Sequence, residues 1–563
     1  MRARSCEAGQ AKPETVSTTP VRAWVSIGVI NMKKNNKNYR IKNVLLNQKG
    51  MALLTTLIFV FILVTFAVAL LTMTSNDTKL SALQRDSTKA FYIAEAGIEK
   101  TLYDLKKDYE SSKDWNDGNI NGTSLGENGE LYTDEPFGEG TYTVTLDIKS
   151  SNNVTIKSKG VYNNKSTRYI QVDATVGALS IWDNAIFAGS GQSGKVINGN
   201  VDIRGSVHIL GTEGSTAMEA LDITGTAGIG NNYYGMHSDL RTRIPTTIPT
   251  TIELNGDIVE TLNAKLRVKH GIVNLSGTAT VGDPDVSGNE YKETLDGVYV
   301  DDGGDDSFGG NQGADNVYSD NGTEQPYDFG EGTFHFPTLD ELYIDPETGA
   351  TFPNDDGDPC SYKEYYDKYG LHLPVNISSI TSDTASFYYP EDNNPDTNGN
   401  YINWDQGTGE LTISGIIVID EGCTDFAIGK KGDLIEYKGK VGTIGKGTVV
   451  SKGDISVHGD LLAKDLFPTT DSLGLIAYNN INLATGPGDS QLKMMGAFYA
   501  QNKITSAKQN QIAGTFVSNY FDMGTNVPKI FQVPGLENNL PPGIPGASVT
   551  YTMYTSNWHE VYE

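Results

Sequence analysis

Carboxylates dominate the side chains that could do chemistry. Between residues 283 and 331 fourteen Asp or Glu stand against one basic residue, Lys292, and the densest stretch, DDGGDDSFGG, begins at Asp301. Ca2+ takes about six to eight oxygen ligands, so Asp301, Asp302, Asp305 and Asp306 are a candidate calcium set. No EF-hand loop is present, because counting from Asp396 puts Tyr401 in the sixth place and Gly407 in the twelfth. A solvated, self-repelling loop is the simpler reading of the same residues. Sugar-cleaving chemistry needs carboxylates paired at fixed spacing. Here Asp454 is the acid of one late strand motif, with Asn480 and Asn502 at the comparable places in the next two. His208, His237, His270, His335, His372, His458 and His559 are scattered singly, with no visible Ser, Cys or metal-ligand partner. No catalytic residue is expected, and the chain reads as a non-enzyme. Cys360 and Cys423 are the only cysteines after residue 50. A disulfide between them and two buried thiols both suit an exported chain.

The elements that position these residues begin with charge. The chain of 563 residues has 43 Lys plus Arg and 70 Asp plus Glu, a formal charge of −27. Phosphate recognition rests on clustered cations, so a nucleic-acid partner is excluded. The first 50 residues hold ten basic and two acidic residues, a formal +8, which leaves −35 for the rest. The two parts meet at an unbroken apolar run, residues 51–73, long enough at about 1.5 Å per residue to cross a hydrocarbon layer of about 30 Å. The basic side should stay cytoplasmic and the acidic bulk should be exported. An initiation site at Met32 would begin a more typical basic leader, MKKNNKNYRIKNVLLNQKG. After the run, Leu80, Leu83, Ala90, Ile93, Ala94, Gly97, Ile98 and Leu102 recur at threes and fours without a Pro up to Tyr109, which predicts one long helix ending in an amphipathic stem.

Lys49-Gly50 before Met51-Ala52-Leu53, then the apolar helix, then Ala90-Phe91-Tyr92-Ile93-Ala94-Glu95-Ala96-Gly97-Ile98-Glu99, resembles the N-terminal domain of PilX-type minor pilins and related pseudopilins. The resemblance covers about residues 48–105. It implies cleavage by a prepilin peptidase between Gly50 and Met51 and methylation of the new amino terminus. It also implies helix packing through residues such as Leu53, Thr55, Phe59, Phe61 and Phe66, and a family motif of Ala90, Phe91, Ala94, Glu95, Ala96, Gly97 and Glu99. Major pilins carry Glu at the fifth mature position, where this chain has Thr55, so the departure fits a minor or tip subunit. Other pilin subunits, the peptidase and the membrane are the implied partners, and a surface ligand is unidentified.

Beyond the stem, GTYTVTLDIKS, NVTIKSKGVYNN and KSTRYIQVDATVG alternate apolar and polar residues, which predicts a small antiparallel sheet over residues 111–178. A Gly-led motif then recurs at Gly415, Gly447, Gly474, Gly496 and Gly514. Stacked units near 20 residues predict a right-handed parallel β-helix over residues 179–533, interrupted by an acidic insert at about 283–410. Gly453, Asn480 and Asn502 are expected to use positive φ in its turns. Residues 534–563, with LPPGIPG and an aromatic alternation, are expected to cap it. The fold class is therefore α+β: a cytoplasmic leader (1–50), a membrane and stem helix (51–110), a pilin-like head and a large β-helical domain. Minor-pilin assembly and display is the leading function. A membrane-anchored β-helical carbohydrate-active enzyme and a calcium-stabilised adhesin are the alternatives.

Overall fold

The computed structural model describes residues 48–112, 114–193, 196–212, 219–300, 316–321, 325–329, 333–420, 425–440, 445–523, 527–547 and 550–561. The chain divides into two compact units, Met1–Arg85 and Asp86–Glu563. A single helix, Gln48–Ser112, takes in the apolar run and the motif after it. Its 65 residues span about 100 Å. Among the described residues it is the one helix long and apolar enough to cross a membrane. Its Thr hydroxyls are satisfied locally: Thr55 Oγ1 donates to the Ala52 carbonyl at 3.0 Å and Thr65 Oγ1 to that of Ile62 at 2.8 Å. The helix therefore carries these hydroxyls without leaving them unpaired in an apolar surrounding.

In the second unit, Glu130–Phe137, Gly140–Ser150, Asn153–Tyr162 and Ser166–Leu179 form consecutive antiparallel pairs. The fifth strand is Thr550–Val561, which pairs antiparallel with Ser166–Leu179. The aromatic tail thus returns to the small sheet and not to the parallel strands. Everything between residues 180 and 549 is an insertion between two neighbouring strands of that sheet.

The inserted region is mostly β and its principal pairings are parallel. Ser472–Ala477 is buried at every position, as parallel strands covered on both faces require. Gly415 lies opposite Gly447, and Gly496 opposite Gly514. Gly474 sits one place along, opposite Thr448 and Ala497. Gly514 has φ +148, and a Cβ there would lie 1.9 Å from the Gly496 carbonyl oxygen, so glycine is required by backbone approach. Gly453, Asn480 and Asn502 do not have the expected positive φ. Instead Asp454 Oδ1 accepts from the Asn480 backbone N and from Asn480 Nδ2, both at 3.1 Å, and Asn480 Oδ1 accepts from Asn502 Nδ2 at 2.8 Å. These residues form a side-chain ladder between strands, which needs stacking and not a left-handed backbone.

Chain order and spatial order differ. Ile186–Gln192 pairs with Gln511–Asp522 on one side and with Val207–Ile209 on the other. From there the strands continue through Lys265–Val268 to Gly297–Val300. The chain reappears at Leu371–His372, beside Glu410–Ile419, and steps back through Lys446–Ser451, Ser472–Ala477 and Lys493–Ser506 to Gln511–Asp522. The late strands therefore complete a sheet whose middle was laid down first. The Pro-rich segment covers its flank: the carbonyls of Pro542, Gly543 and Pro545 accept from Thr448 Oγ1, the Tyr366 hydroxyl and Trp182 Nε1 at 2.6, 2.6 and 2.9 Å.

Candidate functional site

The family-motif residues lie where the stem helix meets the antiparallel sheet. Ala90, Ile93, Ala94 and Ile98 are buried there with Val144, Val154, Ile156 and Val172. Their contact is close because two glycines remove the spacer. A Cβ on Gly160 would lie 2.2 Å from the Ala90 carbonyl oxygen and 2.4 Å from the Ala94 nitrogen. A Cβ on Gly97 would lie 2.5 Å from Ser158 Oγ. Sequence inspection finds the small residues of the helix, but Gly160 carries no mark in sequence that it is their counterpart. Phe91, Glu95 and Ala96 are half-buried and Glu99 is exposed, so they flank this seat.

Polar contacts fix residues 87–105 of the helix on the sheet. Lys89 Nζ donates to the Tyr162 hydroxyl at 2.6 Å and pairs with Glu139 at 3.1 Å. Arg168 Nε donates to Ser87 Oγ at 2.7 Å, and Arg168 also pairs with Glu560 of the last strand at 2.8 Å. Near the helix end, Asp104 accepts from the Tyr132 hydroxyl and, at 2.8 Å, from Asn121 Nδ2. Burial, then this bond to Asp104, pushes the Tyr132 hydroxyl far above its usual range. Trp115 is fully buried and its Nε1 donates to the Leu105 carbonyl at 3.1 Å, holding the chain as it leaves the helix.

Leu53, Thr55, Phe59, Phe61 and Phe66 are on the apolar part of the helix, with exposed side chains. Gly50 and Met51 fall in its first turn. Asp301, Asp302, Asp305 and Asp306 lie outside the described residues, as does Cys423, so neither the calcium set nor the Cys360 pairing is described. The Cys360 side chain is buried. Among the described residues no group of three or more His, Cys, Asp or Glu is placed to hold a metal.

The histidines have partners that sequence distance hid. His372 Nδ1 is 2.8 Å from Asp420, and His458 Nδ1 is 2.7 Å from Asp489. His208 is buried among Phe187, Phe329 and Phe334, with Nε2 2.6 Å from the Tyr327 hydroxyl. Burial holds its pKa well below the usual imidazole value, which makes it a neutral core residue. Asp183, whose side chain is exposed, is a second titratable group with a shifted pKa. Its Oδ1 accepts from Gln532 Nε2 at 2.9 Å, and partial desolvation by the surrounding protein, then the charge of Glu537, raises its pKa to about 7.

The helix side of this seat falls within a known domain. Residues 49–99 match the PilX N-terminal family. The PilX N-terminal match runs from the residue before Gly50 to Glu99, taking in the apolar run and the motif that packs on Gly160. Over the larger chain, the crystal structure of the competence-associated pilin ComZ from Thermus thermophilus is similar in fold, with 20% identity and a TM-score of 0.51. The likeness covers 85% of this chain and 98% of that one. No curated protein matches the chain.

Proposed function

We propose that this chain is a minor-pilin-like subunit of a type IV pilus or related pseudopilus, without a reaction of its own, that displays a large β-helical domain at the cell surface. The PilX N-terminal match at residues 49–99 carries the reading. In it, Gly50 is the residue after which a prepilin peptidase cuts, Met51 becomes the methylated terminus, and the apolar helix packs in membrane and filament. The +8 before Met51 keeps the leader cytoplasmic and the acidic remainder crosses. Support for the display half comes from the parallel pairings of the inserted region, read here as the coils of a β-helix, and from the fold likeness to a protein titled a pilin.

Mass spectrometry of the mature N-terminus tests the assignment. A methylated Met51 is the expected result, and Gly50→Val should leave the leader attached. An unprocessed leader in the parent chain, or cleavage after residue 73, overturns it.

A further inference from the structure

The inserted region has a cleft of about 750 Å³, lined in part by Lys493, Gln511, Lys529 and Asp202. These four are consecutive register partners on parallel strands, and the row continues through Gly228 to Thr280. At about 4.8 Å between strands, the row is about 24 Å long. A second cleft of about 250 Å³ shares Asp202, Arg204 and Thr226 with the first and follows the row past Gly228 and Gly230 to Thr280. Together they form an elongated groove in which Gly230 lets the Arg204 side chain lie against the floor.

The cations of this groove are all paired with carboxylates, and Asp283 adds one further carboxylate to the lining. Lys529 pairs with Asp202 at 2.7 Å and Arg204 with the same carboxylate at 3.4 Å. Lys493 pairs with Asp460 at 2.9 Å and Asp239 at 3.4 Å. Its neutral side chains with open hydrogen-bonding capacity are the exposed amides of Gln491 and Gln509 and the hydroxyl of Tyr234; His237 and Asp283 also line the clefts. The Tyr234 ring is 64% exposed, and the Arg204 guanidinium lies 6.0 Å from its centroid. Uncompensated cations would select an anion, and an apolar lining would select a hydrophobic ligand. Planar amides on a long polar row beside one open aromatic face instead match a chain of hydroxyl-bearing rings, which offers hydrogen bonds at its rim and a C–H face for stacking.

We infer that this groove binds a neutral oligosaccharide, with Tyr234 stacking on one sugar ring and Gln491 and Gln509 bonding its hydroxyls. The assignment goes beyond filament assembly and does not depend on it.

The test is calorimetric titration of the full chain, in a detergent without a sugar headgroup, with hexasaccharides of glucose, galactose, mannose and N-acetylglucosamine. A polygalacturonate hexamer is the anionic control. At least one neutral hexasaccharide should bind, with little change in Kd on adding salt, because no net charge is neutralised. Tyr234→Ala should weaken it by about tenfold, as loss of an aromatic contact worth about 1.4 kcal/mol does, and Gln491→Ala with Gln509→Ala by a smaller factor. All three side chains are exposed, so the variants should keep the parent's melting temperature. Three results overturn the inference: no binding by any neutral probe, binding of the anionic hexamer alone with loss in salt, or unchanged neutral binding in both variants. Because Met51 processing is read separately, failure here leaves the assembly reading intact.

Discussion

Along Asn153–Tyr162 burial alternates residue by residue, whereas along Ser472–Ala477 every side chain is buried. The first strand belongs to a sheet that presses one face on the stem helix. The second belongs to a parallel region with apolar neighbours on one face and the Pro-rich segment on the other, where a Cβ on Gly474 would lie 2.7 Å from Ile544 Cδ1. Both regions bury apolar area, but they concentrate it differently. The helix seat depends on backbone touching backbone at Gly160. The parallel core, from Ile181 to Ile544, is one continuous cluster of interlocking side chains. Point contact makes the small sheet sensitive to added volume, and continuous packing makes the parallel region sensitive to lost volume.

Four measurements sharpen or break this contrast. The largest effect is expected from Phe516→Ala: Phe516 is fully buried and meets Phe498 edge-to-face at 5.6 Å. Denaturant unfolding of the full chain in micelles should show a loss of about 3–5 kcal/mol, and a loss under about 1 kcal/mol would break the picture of a continuous core. Next, Gly160→Val should cost about 2–3 kcal/mol by driving the helix off the sheet. Hydrogen exchange should then rise in residues 90–105 and not in residues 472–518. Equal exchange in the two segments would show that the regions are not separately sensitive.

The third measurement is pH dependence. An unfolded Asp titrates near about 3.9, while folded Asp183 titrates at about 7. Between those values the folded chain holds the proton more tightly, so this residue's contribution to stability falls as pH rises through the window and levels off above about 7. Asp183→Asn, whose side-chain oxygen can still accept from Gln532, should flatten that slope in urea titrations at pH 5, 6 and 7. A slope unchanged by the substitution would place the pH sensitivity elsewhere. The smallest effect is expected from Glu560→Gln. The Arg168–Glu560 pair is about one-third exposed on both sides, 34% and 30%. Its loss should cost no more than about 0.5 kcal/mol and fade in salt. A loss above about 2 kcal/mol would mean that the closing strand is held by this ion pair more than by its backbone ladder.

The small sheet was legible because period-two alternation survives wherever one face meets a core and the other stays open. The long helix was legible because its apolar run and the threes and fours after it contain no Pro. The Gly markers were legible in part: four of the five fall in matched registers, and Gly474 is displaced by one residue because Leu473 takes the place opposite Gly447. Asp454, Asn480 and Asn502 were recognised as equivalent positions, but as turn residues and not as a bonded ladder. A turn and a side-chain ladder use the same residue types, and only the neighbouring strand distinguishes them.

By itself the sequence determined the apolar helix, the +8 and −35 division, the alternating strands and the PilX-like motif, since each is a local pattern that short-range physics fixes. Tertiary structure alone decided that residues 180–549 are inserted between two strands of the small sheet, that Ile186–Gln192 joins the last long strand of the parallel region, and that Lys493, Gln511, Lys529 and Asp202 stand in one row. Those placements pair residues hundreds of positions apart. They depend on which strand edge is open when a segment arrives, and no local pattern records that.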